Sequence, residues 1–316
     1  ALRIIADREN EINAFIPVEY WTIGAKIKVA GEKKRLDAKF YGTEKGRLKI
    51  ENKEQAESIR AELLQAEYQV LDVKKSERTK KAPFPFTTST LQQEASKVLN
   101  FSTLKTMRLA QQLYEGVEIK GAGVIGLITY LRTDSVRISE EADAQAREYI
   151  GSQYGEAYIA EVAMEKKKAG KIQDAHEAIR PTDIKRTPVE VKESLSRDQF
   201  RLYQLIWKRF TASRMSAAKY ETTSVKIGAG SYRLTVSASR VVFDGFMSVY
   251  MSDEDEKGDH NMLLKSIDES SKLTLEDIET TQHFTQPPAH YTEAALVKAL
   301  EEHGIGRPST YAPTIT

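Results

Sequence analysis

The chain has 316 residues, enough for two or three compact units, and its 40% hydrophobic and 29% charged residues are the composition of an ordinary globular protein. No apolar run approaches the roughly 20 residues of a membrane-spanning helix, and the absence of cysteine excludes disulfides and thiolate-bound zinc. A net charge of +1 gives no general attraction for polyanions, so any nucleic-acid site has to be a local groove; with no signal-peptide pattern, cytoplasm is the default location.

In chain order, Ile4, Ile5 and Ile12 lie on a helical period with Arg8, Glu9 and Glu11 toward water, and Pro17 marks the end of that helix. From Tyr20 to Ile50, β-forming residues cluster between Gly24, Gly31, Gly42 and Gly46, which predicts antiparallel strands. A short helix over 53–67 and a strand over 68–74 follow, and the basic run 74–81 reads as a solvated linker. Pro83 and Pro85 break the structure, and Thr87, Thr88, Ser89 and Thr90 offer caps for a helix over 91–99, so a domain boundary is placed here.

Residues 89 to about 217 read as mostly helical, with helices over 91–99, 102–115, 140–152 and 196–213. Gln111 and Glu115 sit four apart on one helix face, a spacing that an exposed polar stripe explains as well as a functional one. Gly121-Ala122-Gly123 is too short to cradle a phosphate and leads into an apolar strand over 124–128. The stretch Leu127-Ile128-Thr129-Tyr130-Leu131-Arg132-Thr133-Asp134-Ser135 then places a phenol, a guanidinium, a carboxylate and three hydroxyls together.

That mix suits phosphate chemistry. A tyrosine that attacks a phosphodiester must lose a proton whose ordinary pKa is about 10, and a nearby cation favours the phenolate. Arg132 is such a cation, and its flat, two-pronged guanidinium suits the charge that builds on phosphate oxygens as phosphorus becomes five-coordinate. The alternative on spacing alone is structural: Tyr130 is a half-buried ring ending the strand, and Thr133-Asp134-Ser135 caps the helix that starts near Glu140.

Further on, residues 165–171 look like a mobile basic loop leading into His176, which alone reads equally as a surface imidazole or a functional group. The five histidines show no paired ligand spacing, so no metal site is assigned. Strands return at 222–227, 232–236 and 240–243, with Gly228 and Gly230 at a hairpin, which makes the helical block an insertion in a discontinuous β domain. Asp253-Glu254-Asp255-Glu256 reads as a solvated turn rather than a magnesium site. Strand 273–275 runs toward Pro287-Pro288, a helix over 292–302 follows, and Gly306-Arg307-Pro308-Ser309-Thr310 offers backbone donors, a guanidinium and two hydroxyls suited to phosphate, or simply a helix cap.

Five segments together carry a resemblance: Pro85 to Ala95, Ala110-Gln111-Gln112-Leu113-Tyr114-Glu115, Ile128 to Ser135, Ala175-His176-Glu177-Ala178-Ile179-Arg180-Pro181, and Gly304 to Tyr311. In this order they resemble the type IA DNA topoisomerases of bacteria, and the resemblance runs from Ala1 to Thr316. It implies an α+β multidomain fold: an arch made of an antiparallel β domain (25–88 and 218–284), an inserted, mainly helical domain carrying the tyrosine (89–217), and helical base segments (1–24 and 285–316). It implies Tyr130 as nucleophile, Arg132 and His176 as catalytic partners on the scissile phosphate, and DNA contacts by Arg307, Ser309, Thr310, Gln111, Glu115, Thr133 and Asp134.

Family members also carry an N-terminal acidic domain of the Toprim type that binds Mg2+, and zinc-ribbon or other DNA-binding modules at the C-terminus; neither is found here, so the chain reads as an excised piece, inactive in cleavage by itself. The partners implied are single-stranded or underwound DNA and that acidic domain, with a monomer, nucleoid-associated, as the expected form. The competing expectations are a single-stranded DNA-binding or scaffold module in which Tyr130 only stacks on a base, and a tyrosine recombinase or type IB enzyme, whose motif order differs.

Overall fold

The computed structural model describes residues 1–161, 176–251, 264 and 266–315. The elements in order are α1 (Leu2–Ala14), β1 (Glu19–Val29), β2 (Arg35–Thr43), β3 (Gly46–Arg47), α2 (Lys53–Gln65), β4 (Tyr68–Lys80), α3 (Thr88–Glu94), α4 (Thr103–Glu115), β5 (Val117–Ile119), β6 (Gly123–Ile125), α5 (Glu140–Tyr154), α6 (Pro188–Val191), α7 (Arg197–Ser213), β7 (Ala218–Ala229), β8 (Tyr232–Phe243), β9 (Leu273–Phe284), α8 (Glu293–Glu302) and α9 (Tyr311–Ile315). The fold is α+β. Six long strands form one antiparallel sheet in the order β4-β7-β8-β2-β1-β9, with β3 paired to β2.

The sheet has one buried face because its strands alternate. Ile23, Ala25, Ile27 and Val29 of β1, Leu36 and Ala38 of β2, Val225 and Ile227 of β7, and Leu234 and Val236 of β8 point the same way into one core. Helix α2 supplies Ala56, Ile59 and Leu63 to that core, and Asn52 caps it by accepting from the Gln55 N–H.

The basic run 74–81 is not a linker. All of it but Lys81 is the second half of β4, paired residue for residue with β7 from Lys74 opposite Ser224 to Lys80 opposite Ala218. The expectation failed because charge opposes burial, not strand pairing. Here most side chains from Lys74 to Thr79 stay exposed while β7 satisfies the backbone, and Arg78 lies over the Tyr220 ring at 4.6 Å. The segments 232–236 and 240–243, read as two strands, are one strand, β8, and the run 273–275 extends to Phe284 as β9.

Between β4 and β7 the chain builds a separate helical core. Leu202, Tyr203, Ile206, Trp207 and Phe210 of α7 pack with Leu109, Ala110 and Leu113 of α4 and with Phe86, Leu127, Ile128 and Ile179. A smaller cluster that includes Ala82, Ile150, Ala212, Met215, Ala218 and Phe246 sits where the chain enters and leaves this unit. The helix expected over 91–99 divides into α3 and a π-helical turn, Ala95–Leu99, closed by Asn100 at φ 56° in the left-handed region.

The two ends of the chain meet. Ile4 and Ile5 of α1 pack against Leu296 and Leu300 of α8 and Tyr311 of α9, and Arg8 lies 4.2 Å from the Tyr291 ring centre. Helix α8 also docks on the helical unit through both of its ends. The Ser89 hydroxyl donates to Glu301 Oε2 at 2.6 Å, and the Thr103 N–H, first in α4, donates to Glu293 Oε2 at 2.7 Å.

The expected basic loop 165–171 and the acidic run Asp253 to Glu256 lie outside the described residues.

Candidate active site

Three segments far apart in sequence are laced together here by backbone hydrogen bonds. Ile179 donates to the Phe86 carbonyl at 2.8 Å, Thr129 to that of Arg180 at 2.9 Å, and Thr182 to that of Leu127 at 2.9 Å. Thr129 Oγ1 closes the lattice by accepting from the Arg180 N–H at 3.0 Å and donating to the Ala178 carbonyl at 2.7 Å. Arg180 is itself held by the Glu177 carboxylate at 2.7 Å. Burial works against ionisation of Glu177, but hydrogen bonds from Ser139 and the charge of Arg180 outweigh it and hold the carboxyl below its ordinary range.

Along the central segment burial alternates residue by residue. Leu131, Thr133 and Ser135 are buried, while Tyr130, Arg132 and Asp134 are exposed. That is the pattern of an extended segment with one face against a core. It sets phenol, guanidinium and carboxylate on a single outward edge. The regular strand ends earlier than expected, at Ile125, and α5 is capped by Ser139 accepting from the Ala142 N–H, not by Thr133 to Ser135.

The inward face is fixed by Thr88, which has no exposed surface. Its hydroxyl donates to the Leu131 carbonyl at 2.6 Å and accepts from the Thr133 N–H at 2.9 Å. Thr133 is 3% exposed and its hydroxyl accepts from the Ser135 N–H at 3.0 Å. Its side chain is therefore spent on shaping the loop.

Tyr130 is 39% exposed. Its ring stacks on the His176 imidazole with centroids 5.5 Å apart at 30°, and meets the edge of Tyr114 at 5.6 Å and 68°. Among the described residues no hydrogen bond or ion pair engages the Arg132 guanidinium, which leaves all its donors for an outside acceptor. Gln111 and Glu115 are joined to each other, Nε2 to Oε1 at 2.6 Å, on the helix that carries Tyr114.

The loop between α8 and α9 exposes Arg307, Ser309 and Thr310, with Thr310 Oγ1 accepting from the Arg307 N–H at 2.8 Å. Tyr311, 7% exposed, shows where this loop lies. Burial pushes its phenol up, the negative charges of Glu301 and Asp134 push it further, and Arg307 works the other way. The charges of Asp134 and Arg307 both act on this ring, so the loop after α8 and the Tyr130 segment lie in the same neighbourhood.

Sequence reasoning named Tyr130, Arg132 and His176, and the structure brings Tyr130 and His176 into contact. It gave no part in the site to Tyr114, Thr88, Thr129 or Arg180, although all four stand inside the quoted motifs. Among the described residues no group of three or more His, Asp or Glu side chains gathers to hold a metal ion.

A helical unit with an exposed phenol and guanidinium, carried between two long paired strands and docked on a helix next to the chain's ends, defines a class. A family model described as DNA topoisomerase matches residues 1–316, and the chain belongs to that family, in its bacterial type IA branch. It is similar to full-length topoisomerase I from Thermotoga maritima, with 38% sequence identity and a TM-score of 0.81 over 99% of this chain. The chain spans 49% of that protein's length.

Proposed function

We propose that this chain carries the nucleophile of a type IA topoisomerase. Tyr130 Oη attacks a DNA phosphorus, the bond to the 3′ oxygen breaks, and the phosphate remains on tyrosine as a 5′-phosphotyrosyl ester. The released 3′ hydroxyl takes up a proton. Religation reverses the step: the 3′ oxygen attacks the phosphotyrosine and the phenol leaves. The ester conserves the bond energy, so no nucleotide is hydrolysed. Strand passage between the two steps relaxes negatively supercoiled DNA, whose underwinding yields the single strand the site requires.

The observation that carries this reading is the exposed edge on which Tyr130 meets the imidazole of His176 two residues before an uncommitted Arg132. Arg132 offers the equatorial phosphate oxygens two parallel donors, and His176 is beside the phenol to hydrogen-bond the same phosphate. In this reading Arg307, Ser309 and the exposed Asp134 contact the DNA, with Gln111 and Glu115 on the neighbouring helix and Thr133 and Thr310 holding the loop shapes.

The described residues do not fit a metal ion. An N-terminal acidic domain of the complete protein is the proposed holder of Mg2+ and donor of the proton to the leaving oxygen. A cytoplasmic, nucleoid-associated monomer is the matching setting, and no described helix is long and apolar enough to cross a membrane.

For this chain taken alone a second reading rests on the exposed aromatic face of Tyr130 and His176: it stacks on the bases of single-stranded DNA without cutting it. End-labelled single strands incubated with the chain and magnesium, with and without the separately made acidic domain, distinguish the two on a denaturing gel. A protein-linked adduct only in the mixture is the expected result. An adduct from the chain alone contradicts the assignment of the metal and the acid to another domain.

A further inference from the structure

Tyr130 sits in a segment whose backbone is tied down on both sides, through Thr129 to Arg180 and through Thr133 to Thr88. Its phenol is not tied: among the described residues it makes no hydrogen bond. Two aromatic contacts hold the ring, His176 on its face and Tyr114 against it at 68°.

Tyr114 is well placed to act as a stop. It stands in the last turn of α4, and the turn is bolted to the lead-in of the nucleophile by the Leu127 N–H donating to the Leu113 carbonyl at 2.7 Å. Gly126 passes so close that a Cβ there would lie 2.7 Å from the Tyr114 carbonyl oxygen. The hydrogen bond and this close approach set the end of α4 directly against the segment. The Tyr114 ring is 39% exposed, as is Tyr130, so its position is not explained by a need to be buried.

We propose that Tyr114 is a positioning residue for the cleavage step. Its ring blocks one side of the Tyr130 side chain, keeps the phenol against His176, and aims Oη at the phosphorus; its own hydroxyl takes no part. The inference rests on Tyr130 being the nucleophile. An attacking atom displaced by an ångström loses rate steeply while the ground-state complex is hardly affected. A missing stop therefore shows in the rate and not in affinity.

The test uses the complete enzyme and a single-stranded oligonucleotide, measuring single-turnover cleavage and the dissociation constant for Tyr114→Ala, Tyr114→Leu and Tyr114→Phe. Leu fills the space without a ring and guards against a folding defect in the Ala variant. Cleavage slowed about tenfold or more in Ala and Leu, with affinity within about threefold and the rate recovered in Phe, is the expected pattern. Wild-type rates in Ala and Leu overturn the inference. So does a loss of affinity matching the loss of rate, which makes the ring a DNA contact, and so does a Phe variant as slow as Ala, which makes the hydroxyl the working group. Tyr130→Phe run alongside separates the two assignments: an adduct in that variant overturns the nucleophile and this inference together, whereas none there with fast cleavage by Tyr114→Leu overturns this inference alone.

Discussion

Arg132 and Thr88 show the two kinds of work that single residues do at this site. Arg132 is exposed and engaged by nothing described, so its value lies in the planar fork it can present to a phosphate. Arg132→Lys keeps the charge and loses the fork, and single-turnover cleavage is expected to fall by about tenfold, roughly 1.4 kcal/mol, with strand binding little changed. Equal cleavage rates would remove Arg132 from the chemistry. Thr88 is wholly buried and serves Leu131 and Thr133 with one hydroxyl. Thr88→Val leaves the Thr133 N–H without its acceptor and is expected to cost about 2 kcal/mol in a urea melt. Away from the site, Arg214 is 3% exposed and pairs with Asp143, which also receives Arg147. Burial opposes ionisation of Asp143, yet the two guanidinium groups outweigh it and lower its carboxyl below the ordinary value. A lowered folded-state pKa stabilises above the unfolded pKa of about 4 and loses that contribution as pH falls through the folded value. Asp143→Asn is therefore expected to destabilise by about 3 kcal/mol at neutral pH, with the gap to wild type closing in melts below about pH 4. A gap independent of pH would show that the pair is not what Asp143 contributes.

At the scale of elements, what the sequence made legible was whatever carries its own punctuation. The starts of α4, α7 and α8 follow from Ser102, Ser196 and Thr292, each of which accepts a hydrogen bond from the first turn. The far half of β4 was illegible because local composition does not reveal a partner: Lys74 to Lys80 become strand only by lying against residues 218–224, over a hundred positions later. The Tyr130 segment was misread in the opposite sense. Its apolar lead-in suggested a longer strand, but its backbone partners are scattered among Leu113, Arg180 and Thr88 and form no ladder. Helix α8 makes a prediction of its own, since Glu293 and Glu301 hold two helices of the tyrosine-bearing unit. Replacing both by Ala is expected to speed amide hydrogen exchange at Thr103 and in the first turn of α3 while the sheet exchanges as before. Unchanged protection at Thr103 would mean that α8 does not grip the unit through these carboxylates.

For the whole molecule, order along the chain was the most informative signal. Segments around Phe86, Tyr130, His176 and Arg307 were recognisable one by one, and the fold brings the first three into one lattice of hydrogen bonds and ring contact. What the order does not give is orientation: that Tyr130 rather than Leu131 faces outward, or that Tyr114 stands beside it, depends on a period-two burial pattern imposed by Thr88 and the helical core. One covalent bond decides what this site does. Cleavage by the complete enzyme on a single-stranded oligonucleotide can be trapped with denaturant, the protein digested with nuclease and protease, and the nucleotide-bearing peptide sequenced by mass spectrometry. A nucleotide attached through its 5′ phosphate to Tyr130, and no adduct from Tyr130→Phe, is the result expected. Attachment at any other residue, or an adduct that survives the substitution, would contradict the central assignment.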